Sequence, residues 1–195
     1  MRIIVETDRL TLRQFTEHDV DNLVFLDSDP EVMHYLTKGK PTPRATVQDE
    51  VLPAILRDYR RGPLGRWAVI ERATGEFAGW IALQPREGGG VREAELGYRL
   101  HRASWGRGYA VEGSRAVLRK AFAELGVRRV TAETMAVNRA SRRVMEKSGL
   151  TYLRTFHLHF DDPIEGTEFG EVEYELLRED WLRSEAGTGV DLPTG

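Results

Sequence analysis

The sequence predicts an α+β fold in which helices pack on a central, mixed but mostly antiparallel sheet of about seven strands. Two extended segments, 67–70 and 77–83, are separated by the short turn Ala73-Thr74-Gly75-Glu76, which is the pattern of an antiparallel hairpin. A third extended segment, 93–100, is followed by a glycine-containing loop and a long amphipathic helix. No internal repeat or linker divides the 195 residues, so residues 1–183 are expected to form one domain.

The first sixty residues combine one strand with several short helices. Two prolines and a glycine interrupt regular structure over residues 37–45 and separate the helices into two groups. The predicted elements are a strand over 9–15, a helix from Thr16, a short helix from Pro30, and a helix capped by residues 46–49 that runs to about Tyr59.

The second half of the chain alternates strands and helices. Ala94, Leu96, Tyr98 and Leu100 alternate with polar or small neighbours, which predicts a half-buried strand. The elements that follow it are a helix from Ala110 that ends at Gly126, a strand over 128–135, a helix capped by Asn138 and ended by Gly149, and strands over 150–160 and 168–177. Residues 184–195 are expected to form a frayed tail.

Composition excludes several classes of protein. The chain has no cysteine, which rules out disulfides, thiolate zinc sites and an acyl-cysteine intermediate. Its net charge of −3 argues against nucleic-acid binding, and no apolar run approaches the roughly 20 residues of a membrane span. The first residues become charged too early for a secretory signal, so cytoplasmic residence is expected. His157 and His159 would share one face of a strand without a nearby carboxylate, so no metal is expected.

A pair of glycines meets a helix start in the segment Ser104-Trp105-Gly106-Arg107-Gly108-Tyr109-Ala110. The first turn of a helix leaves backbone N–H groups unpaired and carries partial positive charge, so it can bind phosphate. A P-loop motif is absent, and Val111 stands where a dinucleotide-binding loop needs its third small residue. The segment therefore predicts a phosphate loop of another kind, with a purely structural turn as the alternative.

The segment from Trp105 to Ala110 resembles the acyl-CoA pyrophosphate loop of the GNAT superfamily of N-acetyltransferases. Its first position departs from the usual Gln or Arg, and a Trp there is similar to the branch that contains the ribosomal-protein N-terminal acetyltransferases. Three further segments resemble that branch in the same order along the chain: residues 7–13, residues 94–100, and residues 138–150.

The resemblance implies acetyl-CoA as co-substrate and no metal. Backbone groups of three strand residues would pair with the pantetheine amides as an added strand does, and the N–H groups of the loop would bind the pyrophosphate. Arg107 is the arginine expected to contact phosphate through its side chain, and Tyr109 is expected to pack beside the loop. Asn138 would hydrogen-bond the pantetheine arm, although helix capping alone would explain it. The cofactor-binding set is Tyr98, Arg99, Leu100, Trp105, Gly106, Arg107, Gly108, Tyr109, Ala110 and Asn138.

The implied reaction is attack by an unprotonated primary amine on the acetyl group. A peptide α-amine with a pKa near 8 is partly neutral at pH 7, whereas a lysine amine with a pKa near 10.4 depends more on a base. The spacing of Glu133 from Asn138 resembles the base of one ribosomal-alanine acetyltransferase subgroup, while Glu95 and an ordered-water relay are the alternatives. Met145 stands where that subgroup has a proton-donating tyrosine. Ser141 is therefore the candidate to hydrogen-bond the leaving thiolate, the alternative being a serine that only satisfies backbone.

The acceptor is expected to be the N-terminal amine of a peptide or protein, with a small-molecule amine as the alternative. The resemblance implies that residues 27–44 and the turn before the last strand form the walls of the acceptor side. That turn is acidic, which would attract a cationic acceptor or only keep a hairpin tip soluble. Its acidic residues are Asp161, Asp162, Glu165 and Glu168. A catalytically silent acyl-CoA-binding module is the alternative function, and a homodimer through the final strands is one arrangement that the sequence allows.

Overall fold

The computed structural model describes residues 2–86 and 90–187, and at its centre is one mixed sheet of eight strands. The spatial order is β1-β2-β3-β4-β5-β6-β8-β7, and every neighbouring pair is antiparallel except the parallel pair β5 and β6. The strands are β1 (Ile3–Glu6), β2 (Leu10–Gln14), β3 (Gly65–Glu71), β4 (Phe77–Pro85), β5 (Glu93–Leu100), β6 (Arg129–Met135), β7 (Thr151–Phe156) and β8 (Glu171–Leu177). The predicted fold class is confirmed, with eight strands in place of about seven.

Helices connect the strands and cover parts of both faces of the sheet. The helices are α1 (Val20–Ser28), α2 (Pro30–Thr37), α3 (Arg44–Thr46), α4 (Leu52–Asp58), α5 (Tyr109–Glu124), α6 (Arg139–Lys147) and α7 (Arg178–Gly187). A π-helical stretch, Val47–Val51, joins α3 to α4. Short 3-10 turns precede α1, α5 and β8.

The two faces of the sheet have separate cores, because alternate strand residues point to opposite sides. Ile81 of β4 packs in the same buried cluster as Phe122 of α5, and we name this side of the sheet the α5 face. Trp80, its neighbour in the chain, packs in a second cluster with Leu26 of α1 and Ile55 of α4, and we name this side the α1 face. Odd-numbered residues of β5, β6 and β8 therefore lie on the α1 face, and even-numbered residues on the α5 face.

Three expectations for the first half of the chain need correction. Ile3–Glu6, which the sequence analysis does not predict as a strand, pairs with β2 as an edge strand. The helix expected from Thr16 is first a 3-10 turn, whose capping box joins Thr16 to Asp19, and α1 begins at Val20. The helix expected to be capped by residues 46–49 begins earlier, at Arg44, because Pro43 breaks the preceding chain and leaves a favourable first turn.

The second half differs from expectation mainly between the last two strands. The strand expected over 150–160 ends at Phe156, and the one expected from 168 begins at Glu171, because a 3-10 turn and Gly170 (φ 79°) come between them. His157 and His159 consequently lie outside the strand, and the expectation that they share a strand face is wrong.

The C-terminal helix α7 is also absent from the sequence-based prediction. Its Trp181 is buried against Phe122 of α5, with ring centroids 5.6 Å apart. Residues 184–187, expected to begin the frayed tail, belong to α7, while residues 188–195 lie outside the described residues.

Candidate functional site

The parallel strands β5 and β6 pair over only part of their length. Their register joins Glu93 to Arg129, Ala94 to Val130 and Glu95 to Thr131, and beyond Glu95 the two strands diverge. β5 continues to Leu100 while paired with β4 alone, so its other edge is unpaired over 96–100. An unpaired strand edge can accept an extended, amide-containing ligand through main-chain hydrogen bonds. Of the expected backbone partners, Tyr98 and Leu100 direct their main-chain groups to this open edge, whereas those of Arg99 face Trp80 in β4, because hydrogen-bonded positions alternate along an antiparallel pair.

The glycine loop follows the open end of β5 and leads into α5. Gly106 and Gly108 have φ angles of 72° and 81°, in the left-handed region that side chains disfavour, which explains the glycine at both positions. Gly108 is the N-cap of α5 and contributes no side-chain cap, so the N–H groups of Tyr109 and Ala110 have no partner within the helix. The loop therefore presents main-chain donors and the positive end of the helix dipole to an anion.

Arg107 stabilises the loop through contacts with Glu71 and Tyr109. Its guanidinium forms an ion pair with Glu71 of β3, with one hydrogen bond of 3.1 Å, and stacks 4.5 Å from the ring centroid of Tyr109. Tyr109 is buried and donates a 2.6 Å hydrogen bond to the same carboxylate, as its expected packing role requires. Hydrogen bonds from Arg107 and then Tyr109 lower the pKa of Glu71 below its usual range. The contact of Arg107 with Glu71 was not predicted from the sequence, and the expected contact of Arg107 with phosphate stays a prediction.

A second set of contacts ties the loop to the N-terminal hairpin. Arg9 donates a 2.9 Å hydrogen bond to the Arg107 carbonyl and a 2.6 Å bond from Nε to Glu112 in the first turn of α5. Thr7 donates a 2.6 Å hydrogen bond to the same carboxylate. The segment at residues 7–13 and the loop, both part of the family resemblance, are therefore in direct contact.

Trp105 closes the end of β5. Its indole Nε1 donates a 2.8 Å hydrogen bond to the carbonyl of Leu100, while nearly half of the residue is exposed. This bond uses one lone pair of a carbonyl that was expected to pair with pantetheine, and the second lone pair and the Leu100 N–H leave that expectation open. Trp105 thus positions the junction between strand and loop.

Four glutamates lie on the α1 face where β5 and β6 begin to diverge: Glu95, Glu133, Glu171 and Glu173. The buried Glu173 accepts hydrogen bonds of 2.6 Å from Arg86 and from Arg154. Arg86 also contacts Glu133 at 3.3 Å. The positive charges of Arg86 and Arg154 therefore offset part of the negative charge of the four glutamates. The spacing of these glutamates in the sequence did not indicate that they form one cluster.

Within this cluster the carboxylate of Glu95, like that of Glu171, makes no hydrogen bond or ion pair with another described residue, whereas Glu133 and Glu173 contact arginines. The residue surface of Glu95 is exposed, yet desolvation by the surrounding protein and then the negative charges of Glu133 and Glu173 raise its pKa. Desolvation and the charge of Glu133 raise the pKa of Glu171 in the same way. A carboxylate with a raised pKa is a stronger base than an ordinary one at neutral pH.

Tyr98 and Ser141 meet across the gap between β5 and α6. The phenolic hydroxyl donates a 2.8 Å hydrogen bond to the Ser141 carbonyl and lies 2.9 Å from Ser141 Oγ. Burial raises the pKa of Tyr98 well above its usual range. Asn138 caps α6 by accepting a 3.1 Å hydrogen bond from the Ser141 N–H through Oδ1, which leaves its Nδ2 group available to a ligand. Met145 is buried in the core.

The two expected walls of the acceptor side touch each other. Lys38, at the end of α2, forms an ion pair with Asp162 in the connection between β7 and β8. At the other end of this region, Phe25 of α1 stacks on His101 with ring centroids 4.6 Å apart, beside an open cleft of about 690 Å³. One acidic residue of the turn is therefore engaged in a contact between the walls.

Groups of metal-binding side chains and membrane-spanning helices are both absent from the described residues. Among the residues that the structure describes, no three His, Asp or Glu side chains are grouped as metal ligands would be. None of the helices in that part of the chain has the length and apolar character needed to cross a membrane.

Comparison with known proteins gives consistent matches. The family model of the acetyltransferase (GNAT) domain matches residues 9–151. The FsC-acetyl coenzyme A-N(2)-transacetylase of Aspergillus fumigatus is 38% identical over 189 residues, which cover 92% of this chain and 78% of the relative. A solved acetyltransferase (GNAT family) from Bacillus anthracis has a TM-score of 0.75 and 25% identity, covering 92% of this chain and 99% of that one. A ribosomal L7/L12 α-N-protein acetyltransferase solved with coenzyme A shares the fold, with a TM-score of 0.73 at 20% identity over 90% and 98% of the two chains.

Proposed function

The chain belongs to the GNAT acetyltransferase family and is an acetyl-CoA-dependent N-acetyltransferase, and from this premise we propose that it acetylates the primary amine of a small molecule by direct transfer. The observation that carries the proposal is the divergence of β5 from β6, with the glycine loop at its open end and the glutamate cluster where it closes. A catalytically silent module, the alternative from sequence, is not retained because the family assignment is to an enzyme.

Acetyl-CoA binds along β5 in this proposal. Main-chain groups of Tyr98 and Leu100 on the unpaired edge hydrogen-bond the pantetheine amides, and the N–H groups of residues 106–110 hold the pyrophosphate. Asn138 adds its side-chain amide to the pantetheine arm. The unpaired edge and the uncapped first turn of α5 support this assignment, because both leave main-chain groups without partners.

Glu95 is the proposed general base, in preference to Glu133. Both carboxylates are on the α1 face, but Glu133 already forms an ion pair with Arg86. Glu95 lies at the last paired position before the strands diverge, and its pKa is raised by its surroundings. It accepts the proton from the attacking amine, whose nitrogen forms a bond to the acetyl carbon as the bond from that carbon to sulfur breaks.

Tyr98 and Ser141 together are proposed to stabilise the departing thiolate. The proton donor expected from the resembling subgroup is missing because Met145 is apolar and buried. The Tyr98 hydroxyl, 2.9 Å from Ser141 Oγ, supplies a second hydroxyl at the same place. When the Tyr98 proton turns from the Ser141 carbonyl to Ser141 Oγ, the serine can donate its own proton to sulfur, so the pair keeps one internal hydrogen bond.

The amine is proposed to belong to a small molecule, and a peptide N-terminus is the competing class. The name of the Aspergillus fumigatus relative specifies transfer to a numbered nitrogen, N(2), of FsC. The contact between Lys38 and Asp162 also joins the two walls of the acceptor side and narrows the approach for a polypeptide.

A turnover screen tests the acceptor class. The purified chain is incubated with acetyl-CoA and separate panels of small-molecule amines and of peptides with free N-termini, and products are identified by mass spectrometry. We expect acetylated small amines with kcat/KM well above that for any peptide. Faster acetylation of peptide N-termini would contradict the proposed acceptor class.

Matched glutamate variants test the base. Glu95→Gln is expected to lower kcat by at least about 100-fold and to remove the rise in activity that the deprotonation of Glu95 produces as pH increases. Glu133→Gln removes a charge that raises the Glu95 pKa, so it should move that rise to lower pH while retaining most of the maximal rate. Glu175→Gln, on the same face of β8 but paired with Arg129, is the control and should change neither. If Glu133→Gln produces the larger loss in kcat, Glu133 is the base.

A further inference from the structure

Two arginines flank Trp80 on the α1 face, beside the proposed acceptor site. The guanidinium carbon of Arg66, from β3, lies 4.3 Å from the centroid of the indole ring, and that of Arg99, from β5, lies 5.2 Å from it. Two positive charges thus lie against one aromatic ring. Each guanidinium is attracted to the ring by a cation–π interaction, but the two guanidinium groups repel each other.

Among the described residues, only one of these two arginines forms an ion pair with a carboxylate. Arg99 forms an ion pair with the buried Asp27 of α1, which also accepts a hydrogen bond of 2.8 Å from Thr42. The guanidinium of Arg66 makes no hydrogen bond or ion pair with any other residue in 2–86 or 90–187, and the Nε groups of both arginines are buried without a partner. Burial and then the charge of Arg99 lower the pKa of Arg66. Buried donors without acceptors are costly, so this site is suited to an additional anion.

Arg99 of the arginine pair and the proposed base Glu95 lie on one continuous stretch of β5. Glu95, Gly97 and Arg99 all point to the α1 face, since they are two residues apart. Glu95 and Arg99 are separated by about 13 Å at their Cα atoms, as four residues of strand require, and both side chains are long enough to shorten the distance between their charged groups. Gly97 places no side chain between them. A Cβ there would lie 3.6 Å from the Trp80 ring, so glycine leaves this part of the face open.

We propose that the acceptor is an amine that also carries a carboxylate, which Arg66 and Arg99 bind while the amine faces Glu95. The inference rests on the proposed function and adds the chemical class of its substrate. Arg66 supplies the free charge-assisted donors, and Arg99 shares its charge between Asp27 and the substrate carboxylate. The acidic cluster around Glu95 complements the ammonium form of the arriving amine, so the two ends of the acceptor meet opposite charges.

Paired substrates test this inference directly. Straight-chain amino acids with a terminal amine are compared with alkylamines of the same length, which differ by the carboxylate but have similar amine basicity. The wild-type chain should prefer the amino acid by at least about 10-fold in kcat/KM at the best chain length, as a charge-assisted contact requires. Arg66→Gln should abolish that preference through KM, and Arg66→Lys should restore part of it.

The controls separate this inference from the function on which it rests. Arg57→Gln, which removes the same charge from the exposed face of α4, should leave the preference unchanged. Arg66 has no ion-pair partner, so its replacement leaves no carboxylate unpaired, and an unchanged thermal shift with acetyl-CoA will verify that Arg66→Gln is folded. Equal or better turnover of alkylamines, or an unaltered preference in Arg66→Gln, would overturn the carboxylate site alone. Absence of turnover with every small amine would overturn the proposed function as well.

Discussion

Lowering the pH should weaken the start of α1 through one carboxylate, Asp19. Its side chain is buried and accepts hydrogen bonds of 2.9 and 2.8 Å from Arg13, 2.7 Å from the Thr16 N–H and 2.9 Å from Asn22. Burial alone would raise its pKa, but these hydrogen bonds outweigh burial and lower the pKa from 3.8 to about 2. A shift of this size corresponds to about 2.4 kcal/mol of folding free energy.

The direction of the stability change follows from the lowered pKa of Asp19 in the folded state. The contribution of Asp19 is complete above the unfolded pKa of 3.8 and is lost as the pH falls toward 2. Linkage gives a loss of about 1 kcal/mol by pH 3 and about 1.6 kcal/mol by pH 2.5. Asp19→Asn lacks this titration, so its deficit relative to wild type should shrink by the same amount between pH 6 and pH 2.5.

Urea unfolding followed by tryptophan fluorescence at several pH values measures both free energies. Asp21→Asn is the matched control, because Asp21 lies two residues further along and forms its ion pair with Arg44 at the exposed surface. That control should change the free energy of unfolding by less than about 0.5 kcal/mol. A wild-type advantage over Asp19→Asn that stays constant from pH 6 to pH 2.5 would refute the reasoning.

Three further substitutions test the donor side of the site. Gly108→Ala places a side chain at φ 81°, which costs about 1–2 kcal/mol, so the loop should shift and the Kd for acetyl-CoA measured by calorimetry should rise about 10-fold; unchanged affinity would contradict the loop assignment. Gly113→Ala would place a Cβ 2.3 Å from Ile81 Cδ1, so the Ile81 side chain or α5 must shift within the packed core, and thermal unfolding should show a loss of about 1–3 kcal/mol; an unchanged Tm would contradict this expectation of overpacking. Tyr98→Phe removes the hydroxyl beside Ser141 and should lower kcat about 10-fold in a thiol-release assay without weakening acetyl-CoA binding, whereas a loss confined to KM would assign Tyr98 to binding.

The fold was predictable where the pattern of side chains is local and regular. The hairpin of β3 and β4 and the alternating strand β5 follow from apolar periodicity and turn residues that lie next to each other in the sequence. Ile3–Glu6 was not predicted because a short edge strand buries little apolar surface and is defined by its pairing with β2 rather than by its own sequence pattern. Helix α7 was not predicted for a similar reason, because its position depends on the packing of Trp181 against the distant Phe122.

The candidate site was predictable to the extent that main chain forms it. Glycines at 106 and 108 are required by backbone conformation, so the sequence reveals the loop before any contact is known. The side-chain roles were less accessible, because they depend on distant partners. Arg107 is held by Glu71, 36 residues away in sequence, and Tyr98 meets Ser141 across 43 residues. No spacing rule connects such pairs.

The division of the sheet into two faces explains how one small fold handles two substrates. In the proposed function the loop at the start of α5 and the hydroxyl pair of Tyr98 and Ser141 serve the donor, while Glu95 and the arginine pair lie on the α1 face and serve the acceptor. Asp27 joins α1 to Arg99, so any movement of α1 changes the acceptor site more directly than the donor loop, which Arg107 and Glu71 brace separately. Variation among relatives in α1 and at the position of Arg66 should therefore change which amine is accepted while leaving the use of acetyl-CoA intact, because the main-chain groups that would hold the donor do not contact those side chains.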